Sequence, residues 1–255
     1  MHHDNVIAYP KRARRRGVGK TPWLLLIFFL CILTALYLAS PLALVQDISV
    51  TGNVVLSREE ILATAGLDSG QHIWRLNLAK SRDKLSLNPW VLEVRIVRVF
   101  PNSLAITVQE REGVAIIADS GEHWVAAGDG IILTPYAGHS LPWITGLAPG
   151  QLEPGSSVEG QVAATALEWV IALQPLDSQI SELNFSLYPA QVTLFTTDGY
   201  KVIFPADSDL EQRVRDLNAL LQVLRAENRK GIIDFRSGAG RGVFSPWPGA
   251  DDGDS

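Results

Sequence analysis

The chain has 255 residues, 47% of them hydrophobic and 19% charged, which excludes an intrinsically disordered protein and allows one large or two ordinary domains. Its net charge of -5 conceals a split: Lys11, Arg12, Arg14, Arg15, Arg16 and Lys20 against Asp4 give residues 1–22 a balance of +5, so the remainder carries -10. Between the two, Trp23 to Ser40 runs eighteen residues without a charge, which excludes a plain soluble protein.

That apolar run continues through Pro41 to Val45. Eighteen helical residues rise about 27 Å, and the extension brings the stretch to about the 30 Å hydrocarbon thickness of a bilayer. A core helix would carry a polar stripe, and only Thr34, Tyr37 and Ser40 interrupt this one. A cleaved signal peptide would have a shorter apolar region and an Ala-x-Ala site, which residues 35–46 lack. A retained transmembrane helix over 23–45 is the expectation, with Leu30 inside it and Trp23 and Tyr37 near its two ends. The positive-inside rule then keeps the basic tail, 1–22, in the cytoplasm and exports 46–255, a single-pass N-in topology. The one cysteine, Cys31, falls in the span, so no disulfide staples the exported part.

Beyond the span, Ile48 and Val50 alternate with polar residues as a strand, and Gly52-Asn53 breaks it. Ser57 and Glu60 have capping-box spacing before Ile61 and Leu62, and Gly66 suits a helix stop. A second amphipathic segment spans 77–86, closed by Asn88-Pro89. Leu92, Val94 and Ile96 alternate as one strand, Pro101-Asn102 makes a turn, and Leu104, Ile106 and Val108 form another. The order is strand, helix, helix, strand, strand.

From Val114 the pattern becomes many short strands: 114–118, 123–126 and 131–134, separated by Gly-containing turns. A Gly/Pro-rich loop covers 136–157. A helix over 161–173 precedes strands near 181–187, 191–196 and 201–204, the last two joined through Asp198-Gly199, a hairpin signal. Leu210, Val214, Leu217, Leu221 and Leu224 mark a helix, with Ser208 as N-cap. Strands at 231–236 and 241–245 close the domain, and 247–255 form a flexible acidic tail. The fold class expected is α+β: a transmembrane helix, a β-α-α-β-β domain, then a mixed or antiparallel sheet with helices.

Chemistry is hard to find. His2, His3, His72, His123 and His139 show no metal-site spacing in the exported part, and no G-x-S-x-G, P-loop or H-E-x-x-H occurs. Residues 238–242, G-A-G-R-G, open a strand where a dinucleotide loop would open a helix. Glu110-Arg111-Glu112 reads as a solvated charged junction. No catalytic residue, metal, cofactor or nucleic-acid partner is assigned.

Three runs carry a resemblance: Asn88-Pro89-Trp90-Val91; Val97-Arg98-Val99-Phe100-Pro101-Asn102-Ser103-Leu104; and Val108-Gln109-Glu110-Arg111-Glu112-Gly113-Val114-Ala115. They resemble the POTRA end of the FtsQ/DivIB cell-division family, and Ile233-Asp234-Phe235-Arg236 with Gly242-Val243-Phe244 is similar to its closing strands. The resemblance, of Gram-negative FtsQ type, spans Thr21 to about Pro248. It implies a POTRA domain over 46–113 and a β domain over 114–246. Two positions depart from the pattern: Gly113, where the family has proline and a looser hinge is expected, and Ser237, where it has an aromatic.

The resemblance further implies a non-enzymatic divisome scaffold at the septum of the inner membrane, linking early and late division proteins. It implies recruitment of FtsB and FtsL, direct contact with FtsB, and contacts with FtsW, FtsI or FtsK. An anchored POTRA component of a transport or secretion system is the alternative. The last strand is a natural sheet edge, able to add a partner's strand. The contact residues implied are Arg236, Arg241, Gly242, Val243, Phe244, Ser245 and Trp247, with Gly240 and Gly242 admitting a second backbone. Phe244→Ala and charge reversal at Arg236 are expected to weaken FtsB binding without disturbing folding. Trp90 is expected to be a buried anchor.

Overall fold

The computed structural model describes residues 20–119, 121–148, 150–206, 209–236 and 242–247, with only the backbone described at 21, 119 and 177–179. The apolar run forms α1 (Lys20–Ala39), whose segment Pro22–Ala39 has a mean hydropathy of 2.4 and no buried share, consistent with a single-pass membrane anchor. The helix is shorter than the expected span to Val45. Pro41 has no N–H to continue the ladder, and Ser40 instead caps a 3-10 turn at Pro41–Ala43 by accepting from Leu42 N at 3.1 Å.

The first sheet has the order β1-β3-β2, built from β1 (Asp47–Thr51), β2 (Val91–Val99) and β3 (Ser103–Glu110). Between β1 and β2 come α2 (Arg58–Ala65) and α3 (Leu78–Ser86). The capping box at Ser57 and Glu60 is complete, Gly66 closes α2 in the left-handed region at φ 67°, and Asn77 caps α3. Gly52 ends β1 at φ 83°, where an added Cβ would overlap the Val108 carbonyl.

The second sheet has nine strands in the order β12-β11-β10-β9-β8-β7-β4-β5-β6. Its strands are β4 (Gly113–Asp119), β5 (Glu122–Ala127), β6 (Ile132–Pro135), β7 (Trp143–Thr145), β8 (Ile180–Asn184), β9 (Gln191–Thr196), β10 (Lys201–Pro205), β11 (Gly231–Asp234) and β12 (Val243–Pro246). It is mixed: β4/β7, β7/β8 and β10/β11 are parallel, and the other pairs antiparallel. The α+β class holds. Strand β7 falls inside the expected loop 136–157. The core carries Trp169 of α4 (Gln161–Ala172) against Phe185 and Phe204, with Val214, Leu217, Leu221 and Leu224 of α5 (Leu210–Ala226). The N-cap of α5 is Asp209, which accepts from Gln212 N at 3.2 Å; the expected cap Ser208 lies outside the described residues.

The chain divides into two compact units. One reaches Ser49 and includes Asp68–Leu76 and Arg98–Leu104. Within it, Tyr37 Oη donates to Pro101 O at 2.8 Å, Ile73 N to Ala43 O at 2.9 Å, and Val45 N to Gln71 O at 2.8 Å.

The other unit holds Val50–Leu67, Asn77–Val97 and everything from Ala105. In it the run Glu110-Arg111, expected to be a solvated junction, proves structural. The Glu110 carboxylate accepts from the N–H groups of Val54, Val55 and Leu56 at 3.0, 2.7 and 2.9 Å, fixing the loop before α2. Arg111 donates through Nε to Asp129 at 2.8 Å and through a terminal nitrogen to Pro89 O and Val91 O at 2.9 and 2.5 Å. Trp90 is half-buried and packs with Leu141 against Val125, Ala127 and Leu133, so the anchor reading holds with part of the ring left in solvent. Gly113 is a paired strand residue, opposite Ala127, and its missing side chain makes room for Val125 Cγ1, 2.6 Å from where a Cβ would lie. The residue expected to loosen a hinge is thus held in the β4–β5 ladder.

Candidate functional site

Strand β12 lies at one end of the nine-stranded sheet, antiparallel to β11, with Ile232↔Ser245, Ile233↔Phe244 and Asp234↔Val243 in register. It begins two residues later than expected and takes in Pro246. Its main-chain polarity follows from its neighbour. Phe235 N donates to Ile203 O at 2.9 Å, so by strand alternation Ile233 also faces β10, while Ile232 and Asp234 face β12. Ser245 and Val243 then spend their N–H and C=O groups on β11. Gly242 and Phe244 point theirs away from the sheet, as Pro246 does its carbonyl. Pro246 has no N–H, so the open row is short.

The side chains alternate too. Val243 and Ser245 are exposed, Val243 by 51%, whereas Phe244 is half-buried against the core with the Arg229 guanidinium 4.7 Å from its ring centre. Phe244 therefore packs into the fold, so its removal is expected to cost stability as well as any partner contact, where the sequence reading expected folding to stay intact. Gly242 also serves the interior: a Cβ there would sit 3.0 Å from the Phe235 ring and 3.1 Å from Ile233 Cγ2. Its small size makes room for Phe235 and Ile233, a use that does not need a second backbone.

Arg236 is not a free cation. It forms an ion pair with Asp234 at 2.7 Å and donates to Gln191 Oε1 at 2.6 Å. Its hydrogen bonds hold the Asp234 carboxyl below its ordinary range, and Asp234 in turn raises the guanidinium. Trp247 Nε1 donates to Gly199 O at 3.1 Å, tying the end of β12 to the β9–β10 turn. Arg241 lies outside the described residues, as do Ser237 and Gly240. A residue that motif reading missed is Gly231. A Cβ on it would overlap the Ser245 carbonyl oxygen and lie 2.8 Å from Pro246 Cα, so only glycine lets β12 seat at this distance.

Among the described residues, no group of three or more His, Cys, Asp or Glu side chains could hold a metal ion. The open strand edge is what this region offers a partner.

The family model for the FtsQ-type POTRA domain matches residues 44–111. The chain is 28% identical to the cell division protein DivIB of Geobacillus kaustophilus over 98% of this chain and 94% of that protein. It is 24% identical to DivIB of Bacillus subtilis, covering 88% and 81%, and 30% identical to the cell division protein FtsQ of Mycobacterium leprae, covering 73% and 53%. The extracytoplasmic domain of DivIB from Geobacillus stearothermophilus matches 47% of this chain and 96% of that one at 17% identity, with a TM-score of 0.30, too low to bear on the fold. Residues 44–111 thus match an FtsQ-type POTRA domain, and over nearly its whole length the chain is similar to proteins named as cell division proteins DivIB and FtsQ, which supports a role in cell division.

Proposed function

We propose that the protein is a non-enzymatic divisome scaffold that recruits FtsB, and with it FtsL, by adding an FtsB strand to the open edge of β12, thereby controlling septal peptidoglycan synthesis. The observation that carries this reading is the outward row formed by Gly242, Phe244 and Pro246 at a sheet end. Main-chain hydrogen bonds to Gly242 and Phe244 supply affinity, and the exposed side chains of Val243 and Ser245 supply selectivity. Arg236, Arg241 and Trp247 act beside the strand. Arg236 holds Asp234 and Gln191 in place, and Trp247 pins the strand's end.

In this reading residues 1–22 are a cytoplasmic tail, α1 crosses the inner membrane, and the rest is periplasmic. The domain at 46–113 serves localisation and contacts with other division proteins such as FtsK, FtsW or FtsI, and the domain at 114–246 binds FtsB. Val243→Glu places a charge on the exposed face while leaving the packed face intact. It is expected to abolish co-purification of FtsB with the full-length protein and to leave its thermal unfolding unchanged. Undiminished FtsB capture by this variant would sink the strand-addition mechanism.

A further inference from the structure

The first unit exposes a set of large apolar side chains that a soluble surface does not need: Leu42 by 55%, Trp74 by 51% and Phe100 by 79%. The hydrogen bonds of this unit bring them to one level. Tyr37 Oη holds Pro101 O at 2.8 Å, and the Tyr37 and Phe100 rings are 6.3 Å apart. His72 Nε2 lies 3.0 Å from Leu38 O, and Ile73 N binds Ala43 O, so the loop carrying Trp74 meets the same place. Tyr37 and Leu38 belong to the last turn of α1, within about 3 Å of its end. The folded part therefore follows the helix without a spacer.

We propose that Leu42, Trp74 and Phe100 form a collar seated in the headgroup–acyl boundary of the bilayer that α1 crosses. The inference rests on α1 being a membrane anchor. Its occupant is lipid because the collar lies at the end of α1, an apolar helix none of which is buried. Aromatic rings on amphipathic frames prefer that boundary, and Tyr37, Trp74 and Phe100 supply three. Arg98 reinforces it: the guanidinium lies 5.7 Å from the Trp74 ring centre and donates to Ile73 O and Leu76 O at 2.9 and 2.7 Å, fixing the Trp74 loop. Arg75, also exposed, adds a cation suited to anionic headgroups. Such a collar restricts the tilt of the first unit on its anchor.

The test uses the full-length chain with Cys31→Ser and single cysteines replacing Leu30, Ser49, Trp74 or Phe100, each labelled with an environment-sensitive fluorophore. The proteins are reconstituted into vesicles of phosphatidylethanolamine and phosphatidylglycerol doped with lipids spin-labelled at shallow or deep acyl positions. Labels at Leu30 and Ser49 define the lipid and water ends of the scale. The collar requires labels at positions 74 and 100 to be quenched by the shallow spin label several-fold more than the label at 49. Quenching at 30 with positions 74 and 100 no different from 49 overturns the collar and leaves the anchor standing. Absence of quenching at 30 by the deep label overturns both.

Discussion

Replacing Gly231 by alanine probes how β12 is held. The new methyl carbon overlaps the Ser245 carbonyl oxygen, where an ordinary carbon–oxygen contact is about 3.3 Å, so one strand must retreat by roughly 1 Å. Overpacking of this kind costs about 1–3 kcal/mol. The cost falls on a strand attached chiefly through two hydrogen-bonded pairs, Ile232↔Ser245 and Asp234↔Val243, with the Phe244 ring as its packing contact. It is therefore expected to appear as local opening, with global unfolding much less affected. A cost of about 1–3 kcal/mol multiplies the open population about 5- to 150-fold, and amide exchange at Val243 and Ser245 should accelerate by that factor. Amides of β9 and β10 should change little. Residue-resolved hydrogen exchange by NMR on the part that follows α1 measures both. Unaltered protection at 243 and 245 in Gly231→Ala would refute the close seating of β12 on β11.

Three further outcomes are expected. Arg111→Ala breaks its bonds to Asp129, Pro89 O and Val91 O, and with the arginine side chain only 17% exposed but Asp129 41% exposed, the loss should be about 1–3 kcal/mol in urea unfolding; Arg111→Lys, lacking the planar fork, should recover only part of it. Ser57→Ala removes the capping box of α2 and should cost about 0.5–2 kcal/mol, read as a lower urea midpoint. Stability should also fall in acid. Burial pushes the Asp198 carboxyl up, but hydrogen bonds from Arg225 and Thr196 outweigh it and leave the pKa below its ordinary value of 3.8. For Asp234 the bond from Arg236 leads, again lowering the pKa. Both carboxyls bind protons less readily folded than unfolded, so their stabilisation is complete above about pH 5 and lost as pH falls below about 4; Asp198→Asn should flatten that part of the curve of urea midpoint against pH.

Local signals carry much of the fold. The Ser57–Glu60 box, the amphipathic run at 77–86, the Asp198-Gly199 turn and the leucines of α5 each depend on residues within a few positions, and each element stands where its signal lies. Alternation fails on β2. Val91 and Val94 are its buried residues, whereas Leu92, counted on the inward face, is 46% exposed. A strand at a sheet edge does not hold strict two-face burial, and nothing local announces which strand is the edge. The structural role of Glu110 and Arg111 is hidden from local patterning because their partners are distant in sequence: Val54 to Leu56 for one, Asp129 for the other. The edge position of β12 is legible from Pro246, which has no N–H to give to a further strand. The inward turn of Phe244 and the need for glycine at 231 require the register with β11, which no spacing rule supplies.

The central claim is strand addition at β12, and the amide of Phe244 reports it most directly. Strand alternation leaves that N–H facing outward and those of Val243 and Ser245 bonded to β11. In the free protein the Phe244 amide should exchange fast while 243 and 245 are protected. On adding the extracytoplasmic segment of FtsB to saturation, the Phe244 amide should become protected by roughly tenfold or more, the mark of a formed strand-to-strand hydrogen bond. A saturated complex in which Phe244 exchanges as in the free protein would contradict the mechanism.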